Sequence, residues 1–564
     1  MAILSLHSAL QDSGAALFDD YSLLAAVQEE RLTRRKGGGG LPRRAITEIL
    51  EATAIASDRV EAVVLGRGQY PLSFFRMPEP TSGLVEGEPF GDLNAALVRA
   101  ETDPATRILD IEALLRDLGL PAGVPVHFFN HHRAHALSAL FHTDWEEALV
   151  YTADGGGDNV HYSHYLLRGG RLDCLFGDDR WLRREKRVDS LGQAYGIITD
   201  ALGFRANRHE GKLTGLAAYG KARVADDIAG HFLVDGEGRI NSDFRSTEAM
   251  RECLRGLVAE LLPEDAAASM QEALERVMLA SISRLLSRYR MSRLALAGGV
   301  FANVRLNRFL GEATALDEIF IFPGMGDEGL PIGGCLDFLL TRDGLPRWLG
   351  ERRRLDDVFW GRSFDDTIDA VLGNAPEVIR LPGEPAAVAA ECLARGLAGA
   401  LYEGRMEFGP RALGNRSILA SPADAAINQR LNDRLQRSEF MPFAPYVLAE
   451  DAAEVFDITP ANAYACRFMT VTVSVKDAWR KRIPAVVHVD GTARPQVVQA
   501  AHQPLYADIL GRFKARTGLP VLINTSFNAH EEPIINRPEE CLRALVDDRI
   551  DFVVTRNAVF RRKR

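Results

Sequence analysis

His131-His132-Arg133-Ala134-His135-Ala136, followed by Ala153-Asp154-Gly155-Gly156-Gly157-Asp158, is the stretch on which the reading of this 564-residue chain turns. The apolar run Val124-Pro125-Val126-His127-Phe128-Phe129 in front of it reads as a buried strand, and Asn130 is a good helix N-cap. A helix starting there stacks His131 and His135 on one face, four residues apart. Two imidazoles at that spacing can bind one transition-metal ion, with a carboxylate such as Asp154 as a third ligand. Two readings stay open at this point: a metal or phosphate site, or histidines with ordinary hydrogen bonds.

The pattern recurs on either side. Ile3-Leu4-Ser5-Leu6, Gln11-Asp12-Ser13-Gly14 and Ala15-Ala16-Leu17-Phe18 read as strand, acidic small-residue turn and strand. Ala148-Leu149-Val150-Tyr151-Thr152, the Asp154-to-Asp158 run and His161-to-Leu167 repeat the device, with the glycines as the turn. Two such hairpins suggest a duplicated subdomain closing around a nucleotide. Leu294-to-Ala297 then runs as a buried strand into Gly298-Gly299 and a helix start at Asn303. Ile319-to-Phe322 likewise enters the acidic loop Gly324-Met325-Gly326-Asp327-Glu328-Gly329, with a small helix, Leu330 to Gly334, after it. Turns of this kind lie at the carboxyl ends of strands, where α/β proteins bind ligands.

A chain this long exceeds a single core and predicts at least two domains. A helix from about Ala266 to Ser287 holds the first half together, and composition changes near Leu345-Pro346-Arg347-Trp348. The expected division is a first domain over 1–350, a linker over 351–380 and a second domain over 381–564. The charge balance, 67 basic against 77 acidic residues for a net −10, argues against nucleic-acid or membrane surfaces as partners. It leaves room for an anionic substrate held by a few buried arginines. Six scattered cysteines without a CxxC pair, a first strand at Ala2 without a basic apolar leader, and no long apolar run predict a cytoplasmic protein.

The second half concentrates polar motifs. Gly404-to-Ser417, GRMEFGPRALGNRS, sets arginines among glycines, and arginine forks match phosphate and carboxylate geometry. HVDGTARPQ at 488–496 adds an arginine beside a histidine, and NTSFN at 524–528 follows the strand Pro520-Val521-Leu522-Ile523. Together they predict a pocket for a small anionic, amide-like molecule.

With these words in hand, the chain resembles the ATP-dependent O-carbamoyltransferases of the nodulation-factor and cephamycin type, a family that takes in tobramycin carbamoyltransferase. HHRAHA, GRMEFGPRALGNRS, HVDGTARPQ and NTSFN carry the resemblance through almost the whole chain. It implies an α/β protein with an actin-like ATPase-type (duplicated RNase H-like) N-terminal domain. The implied C-terminal α/β domain is similar to threonylcarbamoyl-AMP synthase. It implies that carbamoyl phosphate is split to carbamate and phosphate in the second domain. ATP then converts carbamate to carbamoyl-adenylate in the first, and an acceptor hydroxyl takes the carbamoyl group and expels AMP. Free carbamate decomposes in water, so sequestering it serves the chemistry.

Residue by residue, the resemblance implies His131, His135, Asp154 and Asp327 as metal ligands, with Fe(II) the expected ion and Mg a further possibility. Lys36, Lys212, Gly298, Gly299, Asn303, Gly324 and Gly326 match positions near the nucleotide. Arg494, Asn524 and Ser526 match the carbamoyl phosphate pocket, with Arg411, Arg416 and Met469 near it. Asp12, His135, Arg494 and Ser526 are the expected catalytic groups.

Two departures stand out. The His-Asp pair of the first hairpin is here Gln11-Asp12, which leaves Asp12 itself or a metal-bound acceptor to replace the histidine. A lysine that often precedes Met-Pro-Phe-Ala-Pro is missing from Arg434-Leu435-Gln436-Arg437-Ser438-Glu439-Phe440-Met441, and spacing does not choose between Arg434 and Arg437. Gly37 to Gly40 reads as a flexible lip over the acceptor site, and the segment from Gly66 to Leu97 as variable acceptor loops. Alternative readings are a threonylcarbamoyl-type tRNA-modifying enzyme and a non-catalytic nucleotide-binding relative.

Overall fold

The computed structural model describes residues 1–100, 105–184, 187–437 and 441–563. Two compact units divide the chain: Met1–Thr33 with Gly37–Leu355, and Arg34–Lys36 with Asp356–Arg564. The predicted linker over 351–380 is corrected on this point. Ile368–Gly373 is helical and Val378–Leu381 pairs with Val559–Arg562 in the main sheet of the second unit, because its apolar residues find a strand partner there.

The first unit is built twice from one plan. Strands β1 (Ala2–His7), β2 (Gly14–Asp19), β3 (Ser22–Gln28), β4 (Val60–Gly66) and β5 (Val126–Phe129) form a sheet in the order β3-β2-β1-β4-β5. Strands β6 (Ala148–Gly157), β7 (Val160–Arg168), β8 (Arg171–Phe176), β9 (Arg293–Ala297) and β10 (Glu318–Ile321) form a second in the order β8-β7-β6-β9-β10. In each, the first three strands pair antiparallel and the last two join the first in parallel. The duplication expected from the two hairpins is therefore present in both order and sense. Residues Ile3, Leu4, Leu149 and Val150 are fully buried, so β1 and β6 are each the centre of a sheet covered on both faces.

Seven helices matter for the site: α1 (His131–Phe141), α2 (Leu191–Ala201), α3 (Glu210–Leu216), α4 (Thr247–Val258), α5 (Pro263–Tyr289), α6 (Val304–Ala313) and α7 (Leu330–Asp343). α1 follows β5 and α7 follows β10, the equivalent places in the two repeats. They pack against each other at Gly333, where a Cβ would lie 2.0 Å from the Ala134 carbonyl oxygen, so only glycine allows the approach. The short helix expected to end at Gly334 continues to Asp343, because Cys335, Leu336 and Leu339 carry its buried face onward. No helix among the described residues is long and apolar enough to cross a membrane.

Three local readings change. The glycines Gly155–Gly157 belong to β6 itself, and the turn is Asp158-Asn159, both at positive φ (46° and 63°) as a two-residue type I′ hairpin turn requires. Gly38–Gly40 is a strand paired antiparallel with Ala9–Gln11. A Cβ on Gly39 would lie 2.2 Å from the Leu10 carbonyl oxygen, so the glycines serve a close ribbon contact rather than a flexible lip. Finally, the segment expected as loops holds a three-stranded antiparallel sheet of Gln69–Pro71, Glu88–Asp92 and Thr81–Val85.

The second unit has an eight-stranded mixed sheet. Its strands are β11 (Val378–Leu381), β12 (Gly399–Tyr402), β13 (Arg416–Ala420), β14 (Ala444–Leu448), β15 (Gln496–Val498), β16 (Val521–Ser526), β17 (Phe552–Val554) and β18 (Val559–Arg562). The order is β11-β18-β17-β12-β13-β16-β14-β15, which puts the motif-bearing strands β13, β16, β14 and β15 side by side.

Candidate active site

Asn130 caps α1 as its sequence predicts, its side chain accepting the Arg133 amide at 2.9 Å. His131 and His135 then lie on one face with ring centroids 4.8 Å apart. Asp154 comes from a bulge in β6: Ala153 pairs with Tyr162 but Gly157 with Val160, so four steps on one strand match two on the other. The bulge is held from behind by the Ser190 hydroxyl on the Asp154 and Gly155 carbonyls (3.1 Å each) and by the Gln193 amide on Gly155 O (2.8 Å). Asp327 opens the turn after β10, just before α7.

The four side chains converge, with one donor atom of each within 4.8 Å of all the others. His135 Nε2 is 3.1 Å from Asp154 Oδ2 and 3.6 Å from Asp327 Oδ1, while His131 Nε2 is 3.8 and 3.6 Å from the same two atoms. Donors held about 2.1 Å from one ion in a tetrahedral shell stand about 3.4 Å apart. The Nε2 atoms of both histidines are buried without a hydrogen bond, which is costly unless something else binds them. Two imidazoles and two carboxylates suit a divalent first-row transition metal.

Around this cluster the predicted nucleotide residues take unequal roles. Gly298, at φ 101°, passes so close to β6 that a Cβ would sit 2.1 Å from Ala153 O. Its amide donates to Met325 O at 2.7 Å, that of Gly299 to Asp154 Oδ2 at 3.2 Å and that of Gly326 to Glu328 Oε1 at 3.1 Å. Gly324 lies against Gly329, where a Cβ would meet Gly324 O at 2.0 Å. Gly298, Gly299 and Gly326 thus spend their amides on partners within the protein instead of offering them free. Asn303 caps α6 through Leu306 N (3.0 Å) and donates to Gln271 Oε1 (2.8 Å), so both ends of its amide are engaged in structure. Lys212 is buried on α3, and Lys36 falls in the segment grouped with the second unit.

Asp12 sits at positive φ (55°) after the Ala9–Gln11 strand, with Arg208 Nη1 3.4 Å from its carboxylate. Burial pushes its carboxyl up to about 6 against the pull of Arg208. His7, at the end of β1, brings Nε2 to 3.7 Å from Asp327 Oδ2, again without a hydrogen bond. Neither His7 nor Arg208 belongs to a sequence pattern, and only the fold brings them in.

In the second unit the motifs meet at Asn524, fully buried at the centre of β16. Its side-chain amide donates to Gln496 Oε1 (2.6 Å) and Ala412 O (3.1 Å), with Met469 Sδ at 3.9 Å, while its Oδ1 is buried without a partner. Arg411 and Arg494 are thereby carried on the segments next to it. Of the two arginines that spacing leaves open, Arg437 is the one that reaches the NTSFN segment. It donates to Ser526 O (2.8 Å), Ser526 Oγ (3.2 Å), Thr525 Oγ1 (3.2 Å) and Asn528 O (2.6 Å), whereas Arg434 turns to Asp548 O (2.8 Å) and Asp551 (3.1 Å). Ser438 to Phe440 of that segment lie outside the described residues. Arg416 departs from its predicted role. It is fully buried, stacks on Tyr402 at 3.8 Å and donates to the Glu403, Gly404 and Asn415 carbonyls at 2.8–3.1 Å, which makes it a structural support.

Comparison with known proteins fits both halves. The model of the carbamoyltransferase N-terminus matches residues 2–336, and that of the carbamoyltransferase C-terminus matches residues 390–562. The chain belongs to the carbamoyltransferase family. It is 33% identical over 580 residues to nodulation protein NolNO of Sinorhizobium fredii, covering 98% of this chain and 79% of that protein. Nodulation protein NolO of Bradyrhizobium diazoefficiens is 34% identical over 75% of this chain and 77% of its own. The 3'-hydroxymethylcephem-O-carbamoyltransferase of Amycolatopsis lactamdurans is 31% identical over 74% of this chain and 77% of its own.

Electrostatics in this carbamoyltransferase fit a cation at the His/Asp cluster. Burial and the charge of Asp327 oppose ionisation of Asp154, yet His131 and His135 outweigh them and hold its carboxyl well below the usual range. Burial likewise opposes charging His135, but Asp154 and Asp327 push it up to about 9. Two carboxylates that stay ionised beside the histidines suit the cluster to a cation. Glu328 next door goes the other way: burial, then Asp12, pushes its carboxyl up to about 8, so it is protonated at neutral pH.

Proposed function

We propose that the chain is an ATP-dependent O-carbamoyltransferase acting on a hydroxyl of a small-molecule acceptor, a sugar or a natural product. The convergence of His131, His135, Asp154 and Asp327 inside a chain that matches both carbamoyltransferase models carries this reading. In the second unit, Arg411, Arg437 and Arg494 supply charge for the phosphate of carbamoyl phosphate, and Asn524 and Ser526 orient its carbamoyl group. Water then gives carbamate and phosphate. In the first unit, carbamate attacks the α-phosphorus of ATP, releasing pyrophosphate and forming carbamoyl-adenylate beside Gly298, Gly299, Gly324 and Gly326.

The two histidines and two aspartates would hold a divalent cation, iron(II) being the expected one, which would supply Lewis-acid polarisation and offset phosphate charge. Asp12 accepts the proton of the acceptor hydroxyl as its oxygen attacks the carbamoyl carbon and AMP departs. A carboxyl pushed up to about 6 is well matched to that task near neutral pH. The protonated Glu328 adds no further negative charge to the site.

Release of AMP and pyrophosphate from ATP, measured with and without carbamoyl phosphate, tests the reading. Nucleotide turnover that requires carbamoyl phosphate but not threonine is expected. Failure of carbamoyl phosphate to elicit AMP or pyrophosphate from metal-loaded protein contradicts it. Hydroxylated sugars, aminoglycosides and macrolides, screened for the mass gain of one carbamoyl group, identify the acceptor.

A further inference from the structure

A third group of reactive side chains lies in the first unit, outside the residues used above. The strands Phe232–Val234 and Ile240–Ser242 pair so that Phe232 faces Ser242, which leaves His231 and Asp243 side by side at the open end of the hairpin. His231 Nδ1 is 2.9 Å from Asp243 Oδ2, and the backbone adds Asp243 N to His231 O at 3.3 Å. On the other side of the ring, Nε2 is 3.3 Å from Cys253 Sγ on α4. The ring of Phe244 packs against the imidazole at 4.8 Å and fixes its plane.

The two ring nitrogens face opposite partners, so the imidazole bridges thiol and carboxylate instead of gathering both round one point. That is the relay order of an activated nucleophile: sulfur, base, and a carboxylate that orients the base. His231 and Cys253 are half-buried and Asp243 is exposed, so solutes reach the group.

We propose that Cys253 is a modification site for low-molecular-weight disulfides, activated by His231 and Asp243. The Sγ proton passes to His231 Nε2 as Sγ attacks one sulfur of the disulfide. The disulfide bond breaks, a bond forms between Cys253 and the attacked sulfur, and the departing thiolate takes the proton from His231. The net change is one protein thiol and one disulfide to one mixed disulfide and one free thiol. Cys253 is thereby oxidised and the departing half of the disulfide reduced.

Burial and the Asp243 carboxylate push the Cys253 thiol up, so it rests protonated, and its reactivity depends on handing the proton to His231. The other half-buried thiols lack this arrangement. Cys174 lies against Tyr165 and is pushed up to about 11 by burial, and Cys392 lies among Glu391, Arg395 and Arg561. The helix that carries Cys253 also reaches the metal-ligand segment. Thr247 at its start donates to Gln193 Oε1 (3.1 Å), and Gln193 holds Gly155 O.

Glutathione disulfide added to the full-length protein, with labelling followed cysteine by cysteine by mass spectrometry, tests this. Cys253 is expected to gain its glutathionyl group about tenfold faster than Cys174 or Cys392, and His231→Gln to slow it by about tenfold or more. Asp243→Asn, a change at an exposed side chain that leaves the fold intact, is expected to slow it by a smaller factor. Both variants should leave labelling of Cys174 and Cys392 unchanged, which separates loss of activation from loss of folding. Equal rates at the three half-buried thiols, or a Cys253 rate indifferent to Asp243→Asn and His231→Gln, would overturn the proposal.

Discussion

The Asp158 carboxylate accepts the backbone amide of His131 at 2.5 Å and so ties the hairpin turn of the second repeat to the first residue of the helix that follows the first. The contact satisfies one of the amides left unpaired at a helix start and places negative charge there. Arg67 lies 3.8 Å from the same carboxylate and pairs with Asp179 at 2.6 Å, while Asn130 donates to Asp179 at 2.8 Å. One small network therefore sets where His131 and His135 point. Asp158→Ala is expected to cost about 1–3 kcal/mol by stranding a buried amide. Metal affinity should fall by about 10–100-fold, the usual loss for a supporting residue behind a ligand. Equilibrium dialysis with iron(II) or zinc, beside thermal melting, measures both.

Removing a ligand itself separates the two half-reactions. His135→Ala and Asp154→Ala should lose metal by more than the 10–100-fold above and abolish transfer to an acceptor. Phosphate release from carbamoyl phosphate, assigned to the second unit, should persist in both. Phosphate and pyrophosphate assays on the same samples give the comparison.

Arg437 and Arg434 make an internal control in the second unit. Arg437→Ala leaves Thr525, Ser526 and Asn528 without their donor, and kcat/KM for carbamoyl phosphate should drop by about 10²–10³. Arg434→Ala removes contacts to Asp548 and Asp551 and should cost about 1 kcal/mol of stability at most, with activity kept. Initial rates at several carbamoyl phosphate concentrations decide between them.

Asp12 predicts an acid limb. Its carboxyl, pushed up to about 6 by burial, must be ionised to accept the acceptor proton, so kcat/KM should fall as pH drops through that value. Asp12→Asn should lower the rate by about 10²–10⁴ and erase the limb. A pH–rate profile of the two proteins shows it.

His164 links pH to stability. It lies among Tyr151, Tyr162 and Phe176, and burial pushes it down to about 3. The folded protein thus keeps it neutral while the unfolded chain protonates it near pH 6.5. Its contribution is complete above pH 6.5 and is lost as pH falls toward 3, by about 2 kcal/mol between pH 7 and pH 5. His164→Phe, which keeps an aromatic ring in the cluster, should flatten the fall in melting temperature over that range.

Much of this is legible in the sequence. Asn130, the four-residue spacing of His131 and His135, and the strands ahead of Gly298 and Asp327 are local signals, and each formed where the pattern placed it. The glycines misled where they serve close packing: Gly155 to Gly157 run within a strand, and Gly38 to Gly40 press against Leu10. The turn signal was Asp158-Asn159, two residues that tolerate positive φ. Which of Arg434 and Arg437 reaches β16 is set by tertiary packing, which spacing along the chain does not encode. His7 and Arg208 are single residues brought to the site only by the pairing of distant strands. Arg416 looked like a ligand because its motif is rich in arginine, but its burial on Tyr402 is a tertiary property.

The most direct measurement follows the carbon of carbamoyl phosphate, isotopically labelled, in the presence of ATP, metal and a panel of hydroxylated acceptors. The account predicts that the label appears as an O-carbamate ester on an acceptor, with one AMP and one pyrophosphate formed for each. Label recovered only as bicarbonate, with ATP consumed to no AMP, would contradict it.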